Sequence, residues 1–404
     1  MKKIVFLLLS LLLTACKNDD VDDKPYEIAI AEIQKIVTTY QQDFSAKMDN
    51  KPIGIGLYVL EGDKGFYVSE GFPESYKENI QFRIASNSKT FTAAAILKLH
   101  QEGKLDINHK ITDVIPTTQK TYIPATENFN IPYKNQITIK TLLQHRAGVF
   151  DVTNSPIPEN LQVPYAGNYY IDYIKEINGE DYTFSFEELI GVVAETQLSD
   201  FEPGAAFHYS NTGYNILGYI VENVSGKRLH EYLQDEFFIP LNLENTYSPH
   251  LGSDMQMPSP YTFSYLNYEG EIIEIDKDNL TGNISEGQII STPKSLAKWG
   301  KALLGSTKVL TPEVQAMMLD VLPADESHGF YGLGIQAYPT ELGYGHDGAH
   351  MAYLSTMRYE PNSDRTFVIF TNHLNVETTE TFINEATALY DILIETMRIL
   401  DEKK

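Results

Sequence analysis

Apolar residues recur at Tyr26, Ile30, Ile33, Val37, Tyr40, Phe44 and Met48, in steps of three and four with polar residues between. That stripe predicts an amphipathic helix, stopped by Pro52. The period then changes. Residues 53–60 and 66–69 are short β-rich runs around Glu61-Gly62-Asp63-Lys64-Gly65, which predicts a hairpin. Near the other end, residues 331–337, 351–359 and 366–371 read as strands, the last two joined by a turn at Glu360-Pro361-Asn362-Ser363-Asp364. A final helical stripe runs through Phe382, Ala386, Leu389, Leu393, Met397 and Leu400. Strand signals thus gather at both ends and helix signals in the middle. An antiparallel sheet built from both termini, covered by the two terminal helices, with a mostly helical lobe inserted, satisfies this pattern. Residues 116–185 are rich in Pro, Tyr, Asn and Thr and poor in period, and long irregular stretches of that kind tend to be binding loops.

Composition narrows the function. Of 404 residues, 42% are hydrophobic and 21% charged, which excludes wholesale disorder. Lys plus Arg is 31 against 55 Asp plus Glu, a net charge of −24. A nucleic-acid partner and electrostatic docking on anionic lipid both need clustered cations and are disfavoured. The single cysteine precludes an internal disulfide and a Cys₄ or Cys₂His₂ zinc site.

The strongest chemical signal is Ser86-x-x-Lys89 at the start of a helix-rich run. At i and i+3 the two side chains share a helix face. A serine hydroxyl is a poor nucleophile unless a base takes its proton, and a buried lysine whose pKa is lowered by desolvation is such a base. A helix N-terminus adds N–H groups and partial positive charge where an oxyanion would form. Downstream, Tyr209 and Asn211 lie two apart in a polar turn that feeds an apolar helix. A tyrosine held near a lysine is expected to titrate low and to act as base or proton shuttle. An asparagine offers a donor and an acceptor to a substrate amide. Gly343-Tyr344-Gly345-His346-Asp347-Gly348-Ala349-His350 leads into a strand, where a glycine admits close approach.

Ser86-x-x-Lys89, Tyr209-x-Asn211 and His346-x-Gly348 together resemble the three motifs of the serine β-lactamase and penicillin-recognising family, which includes class C β-lactamases, D-alanyl-D-alanine carboxypeptidases, D-aminopeptidases and related esterases. The stretches 138–148 and 291–299 resemble the family's supporting segments, so the likeness runs from about residue 50 to 375. It implies an α+β fold of the β-lactamase/DD-peptidase type, with a sheet lobe at about 26–100 and 290–404 and a helical lobe at about 101–289. It also implies roles. Ser86 is the acylated nucleophile, Lys89 its base and Tyr209 the proton carrier. Asn211, His346, Asp347 and Gly348 bind substrate, and the backbone N–H groups of Ser86 and Ala349 form the oxyanion hole. No cofactor is implied.

Two departures bear on substrate. His346 replaces a lysine, as in carboxypeptidases and esterases rather than true β-lactamases. Asp347 stands where relatives carry a hydroxyl; facing the site, it would repel a substrate carboxylate by about 1 to 4 kcal/mol. Strand neighbours alternate, so it is equally expected to face away. The implied activity is a D-alanyl-type peptidase or an esterase, with β-lactamase or D-aminopeptidase as alternatives, and a non-catalytic penicillin-binding-like module as an alternative of another kind. His346 and His350, i and i+4, lack the helix a metal pair needs, so no metal site is assigned.

The first residues read as an address. Met1-Lys2-Lys3 and a run of ten residues, 4–13, apolar except Ser10, form a signal-peptide pattern too short to span a bilayer. Leu13-Thr14-Ala15-Cys16 resembles a bacterial lipobox, implying cleavage after residue 15, a lipidated Cys16 and an acidic tether over 16–25. The expected location is the cell envelope, anchored by lipid, with the hydrolase domain spanning 26–404 and a small-molecule or peptide substrate.

Overall fold

The computed structural model describes residues 24–48, 51–116, 118–338 and 342–403. The residues expected to form a leader, and Cys16, lie outside them.

The first stripe winds into the helix Lys24–Ala46 and the last into Thr379–Glu402, which Thr378 caps by accepting the Thr381 N–H. Ile33 and Val37 of one, and Ile392 and Leu393 of the other, pack with Leu57, Leu354 and Ile369 on one face of a sheet. Among the described residues that sheet has eight strands, every neighbouring pair antiparallel. Their spatial order is Lys64–Glu70, Ile55–Glu61, Arg365–Thr371, Tyr353–Glu360, Tyr344–His350, then Gln336–Ala337, Phe330–Tyr331 and Leu322–Pro323. The chain ends therefore meet side by side, Ile55 opposite Thr371.

The opposite face is covered by the helix Pro293–Leu304, whose buried Trp299 stacks on Phe91 at 3.9 Å and donates its indole N–H to Thr90 at 2.8 Å. Phe91 and Thr90 belong to the helix Ser88–Gln101. That helix is buried almost all round, so it shows no amphipathic stripe. It packs against Asn211–Ser225, which Ser210 caps by accepting the Gly213 N–H at 3.2 Å.

Local readings change where glycine or turn geometry decides. Residues 343–350, read as the approach to a strand, contain the strand Tyr344–His350. Met351 and Ala352, at φ 23° and 67°, make the turn, and the next strand starts at Tyr353. The strand expected at 331–337 is split by Gly334 at φ 77°, where a side chain would collide with Ala93. Within the segment read as helical, a hairpin pairs Ser264–Tyr268 with Glu271–Ile275. The helix Tyr170–Asn178 lies inside the stretch read as irregular.

Candidate active site

Ser86 sits on a single 3₁₀ turn, Ala85–Asn87, that runs straight into the helix Ser88–Gln101. Ala85 holds a left-handed backbone at φ 50°, which an L-residue adopts only when its surroundings impose it. The turn is wedged against the strand Tyr344–His350. A Cβ on Gly348 would collide with the carbonyl oxygen of Ile84 and stand 2.8 Å from Asn87 Nδ2. Gly348 thus admits the turn that carries Ser86. The expectation that its missing side chain makes room for substrate is corrected accordingly.

Lys89 lies one turn on, fully buried. Its Nζ is 3.1 Å from Ser86 Oγ, 3.0 Å from the carbonyl oxygen of Glu286 and 3.2 Å from Glu286 Oε2. Burial pulls its pKa below the usual lysine value, while the carboxylates of Glu286 and Asp151 pull the other way. Tyr209 comes to Lys89 from mid-sequence, with Lys89 Nζ 4.7 Å from the centre of the phenol ring. The low titration expected of Tyr209 is not what the site gives. Burial raises its pKa well above 10; the Ser86 hydroxyl opposes this, and the carboxylates of Glu286, Asp151 and Asp347 reinforce it. Tyr209 rests as a neutral phenol, clamped between the imidazole of His145 at 4.1 Å and that of His328 at 4.7 Å.

Asn211 opens its helix beside Tyr209, buried, with its side-chain oxygen unpartnered among the described residues. Its backbone N–H helps to lower the pKa of Asp151, a buried carboxylate that accepts from the Thr153 and Asn154 amides. Burial raises Asp151 to about 6.

On the strand Tyr344–His350, alternate side chains part company. His346 faces Ser86's side of the sheet and Asp347 the terminal helices. The Asp347 carboxylate accepts from Arg358 at 2.6 Å, Tyr390 at 2.5 Å, Tyr338 at 3.1 Å and the Thr356 hydroxyl. Asp347 is therefore a structural counter-charge for a buried arginine, and its assignment as a substrate-binding residue is corrected. His346 Nδ1 lies 2.6 Å from the Asp347 carbonyl oxygen, which only accepts, so the ring proton is placed there. Nε2 then accepts from the Tyr331 phenol at 2.9 Å. Tyr331 in turn faces His145 Nε2 at 3.2 Å, and His145 Nδ1 accepts the Ser210 N–H at 3.0 Å. This relay runs unbroken from the Tyr209 segment to the strand. Burial, then the Lys89 charge, holds His346 down at about 3 and His145 well below 6.5, so both rings are neutral.

Among the described residues, no strand pairs with the outer edge of that strand past Gly345, where pairing with Gln336–Ala337 ends. The Asp347 N–H points to that edge, donating to Gln336 Oε1 at 2.9 Å. Residues two apart in a strand direct their N–H groups the same way, so the Ala349 N–H also faces outward.

Sequence reasoning brought Ser86, Lys89, Tyr209, Asn211 and His346 together and missed the groups that hold them. His145 and Tyr331 lay in stretches already singled out, without a role. Asp151 and Glu286 carried no signal, since no spacing connects them to Lys89.

A family model described as Beta-lactamase matches residues 40–391. "Protein flp" of Staphylococcus aureus (strain MW2) is 30% identical over 167 residues, 41% of this chain and 28% of that protein. A "Putative D-alanyl-D-alanine carboxypeptidase" of Salmonella typhimurium is 29% identical over 169 residues, 42% of this chain and 34% of that protein. The match thus spans about a third or less of these relatives. Among solved structures, the D-amino acid amidase of Ochrobactrum anthropi SV3 superposes with a TM-score of 0.71 at 20% identity, covering 92% of this chain and 99% of that one.

Proposed function

The chain belongs to the beta-lactamase family, and from that premise we propose that it is a serine hydrolase forming an acyl-enzyme on Ser86. The observation that carries this reading is the Ser86 hydroxyl 3.1 Å from the Nζ of a fully buried Lys89, with the Tyr209 ring centred 4.7 Å from the same Nζ. Lys89, as free amine, takes the hydroxyl proton as Ser86 Oγ attacks the substrate carbonyl. The N–H groups of Ser86 and Ala349 receive the oxyanion. Tyr209 passes the proton to the leaving group and later helps activate the deacylating water. Asn211, with a free acceptor, holds the substrate amide.

For substrate, we propose an amide or ester of a D-amino acid or short D-peptide, without a carboxylate beside the scissile bond. His346 supplies a neutral imidazole where a lysine would supply a cation. The buried carboxylates of Glu286 and Asp151 add negative charge close to Lys89. A D-amino acid amidase shares the fold, which is compatible with this class. The carboxypeptidase relative favours the second reading, a D-alanyl peptidase. A panel of D-amino acid amides, p-nitrophenyl esters, a D-alanyl-D-alanine peptide and a chromogenic cephalosporin separates them. Amides or esters are expected to exceed the others in kcat/KM by about tenfold or more, about 1.4 kcal/mol in transition-state binding; the reverse order supports the carboxypeptidase. No turnover, together with no labelling by a fluorophosphonate or fluorescent penicillin, supports the non-catalytic module.

We also propose that Cys16 is lipidated and anchors the protein to the cell envelope. Globomycin is expected to block processing, and an unshifted gel band contradicts it.

A further inference from the structure

The acyl-enzyme reading leaves without a task a buried carboxylate that touches Lys89. Glu286 is 2% exposed and ion-paired with Lys89 at 3.2 Å. Its other carboxylate oxygen accepts from Asn283 Nδ2 at 2.7 Å, and its carbonyl oxygen accepts from Lys89 at 3.0 Å. The loop that carries it is pinned on both neighbouring helices. Thr92 donates to the Ser285 carbonyl at 2.6 Å, Asn215 to the Ile284 carbonyl at 2.7 Å, and Ser285 to the Tyr214 carbonyl at 2.8 Å. Ser285 itself adopts φ 70°, a left-handed backbone that this pinning maintains. Glu286 therefore cannot swing away from the lysine.

The three acceptors around Nζ are Ser86 Oγ, the Glu286 carbonyl and Glu286 Oε2, one for each N–H of an ammonium. We propose that Glu286 is a positioning residue that holds Lys89 in its charged, resting form and so sets the pH at which Ser86 becomes nucleophilic. The proposal rests on the acyl-enzyme reading above. Only a lysine that has lost a proton can accept the one on Ser86, so the rate of Ser86 attack rises with pH as Lys89 deprotonates. A carboxylate at contact distance favours the ammonium and moves that rise to higher pH; a neutral side chain there moves it down.

The other groups facing Lys89 do not reverse this. The rings of Tyr209 and Tyr214 lie 4.7 and 5.6 Å from Nζ and are neutral phenols. His145 and His346 are neutral imidazoles. Asp151 is the remaining carboxylate. Glu286 raises its pKa, so removing Glu286 leaves Asp151 more fully ionised and returns part of the lost charge. Glu286 nevertheless touches Nζ, whereas no hydrogen bond links Asp151 to it among the described residues.

The test uses a fluorophosphonate probe and needs no knowledge of the substrate. The second-order rate of Ser86 labelling is measured from pH 5 to 10 for the wild type, Glu286→Gln and Glu286→Asp. In Glu286→Gln the midpoint of the rising limb is expected to fall by about one pH unit or more, with the high-pH plateau kept within about threefold. Glu286→Asp is expected to restore much of the wild-type midpoint. A midpoint that stays put in Glu286→Gln, or a plateau lost by a hundredfold in a protein with unchanged melting and circular dichroism, overturns the proposal. If Glu286→Gln does not fold, Glu286→Ala is read in its place: its midpoint must fall below the wild-type value, and an unmoved midpoint overturns the proposal. Failure of the acyl-enzyme reading looks different, because wild-type Ser86 would then not label at any pH.

Discussion

Gly348 carries its α-carbon against the carbonyl oxygen of Ile84, so the strand Tyr344–His350 and the turn that carries Ser86 share a contact no side chain fits between. Gly348→Ala is expected to push the 3₁₀ turn away from the strand. Ser86 Oγ and the Ala349 amide, which on the proposed acyl-enzyme reading meet the same carbonyl group, then lose their spacing. A displacement near 1 Å costs on the order of 100-fold in rate. The stability loss, about 1–3 kcal/mol for overpacking, is smaller in consequence. Steady-state kinetics beside a denaturant curve checks this, and a folded variant at wild-type rate contradicts it.

Asp347 offers the complementary experiment. Its carboxylate sits on the far side of the sheet at 2.6 Å from Arg358, whose side chain is fully buried. Removing one partner of such a pair leaves an uncompensated charge, at a cost of about 3 kcal/mol. Asp347→Asn is expected to lower the melting temperature by several degrees, measured by calorimetry. Asp347→Thr is expected to bring no gain on carboxylate-bearing substrates, because the site never meets that carboxylate.

The two neutral histidines make stability depend on pH. An unfolded histidine takes its proton near 6.5, whereas His346 takes it at about 3 and His145 well below 6.5 when folded. Between those values the unfolded chain binds more protons. Their contribution is therefore complete above pH 6.5 and is lost as pH falls through the window down to about 3. Asp151, raised from 3.8 to about 6, acts with the opposite sign, as do Asp172, Glu188, Asp200 and Glu222, which burial also raises, so the share of a histidine is read from the difference between the wild type and a variant that lacks it. Urea midpoints at pH 7.5 and 5.5 are expected to fall toward the acid side. His346→Asn is expected to flatten that dependence; a steeper one contradicts the assignment.

What could be read in advance follows from how local each signal is. The terminal helices were legible because one face of each is apolar, and Ile33, Val37, Ile392 and Leu393 pack on the sheet as their stripes imply. Ser86 and Lys89 were legible because a helix brings i and i+3 together. Glu286 approaches Lys89 across 197 residues, and Asp151 feels the Asn211 amide from 60 residues away, so neither pairing leaves a mark in a window of sequence. The direction of Asp347 depended on which face of the strand meets the terminal helices, a choice made by Arg358 and Tyr390 from other elements. The rise in the Tyr209 pKa came from burial and three distant carboxylates rather than from its neighbour Lys89.

The central claim is a covalent bond at one hydroxyl. Intact-protein mass spectrometry after incubation with a fluorophosphonate, followed by peptide mapping, reads it without reference to the natural substrate. The wild type is expected to gain one adduct, located on Ser86, and Ser86→Ala to gain none. An unmodified wild type, or an adduct on another residue that persists in Ser86→Ala, contradicts the account.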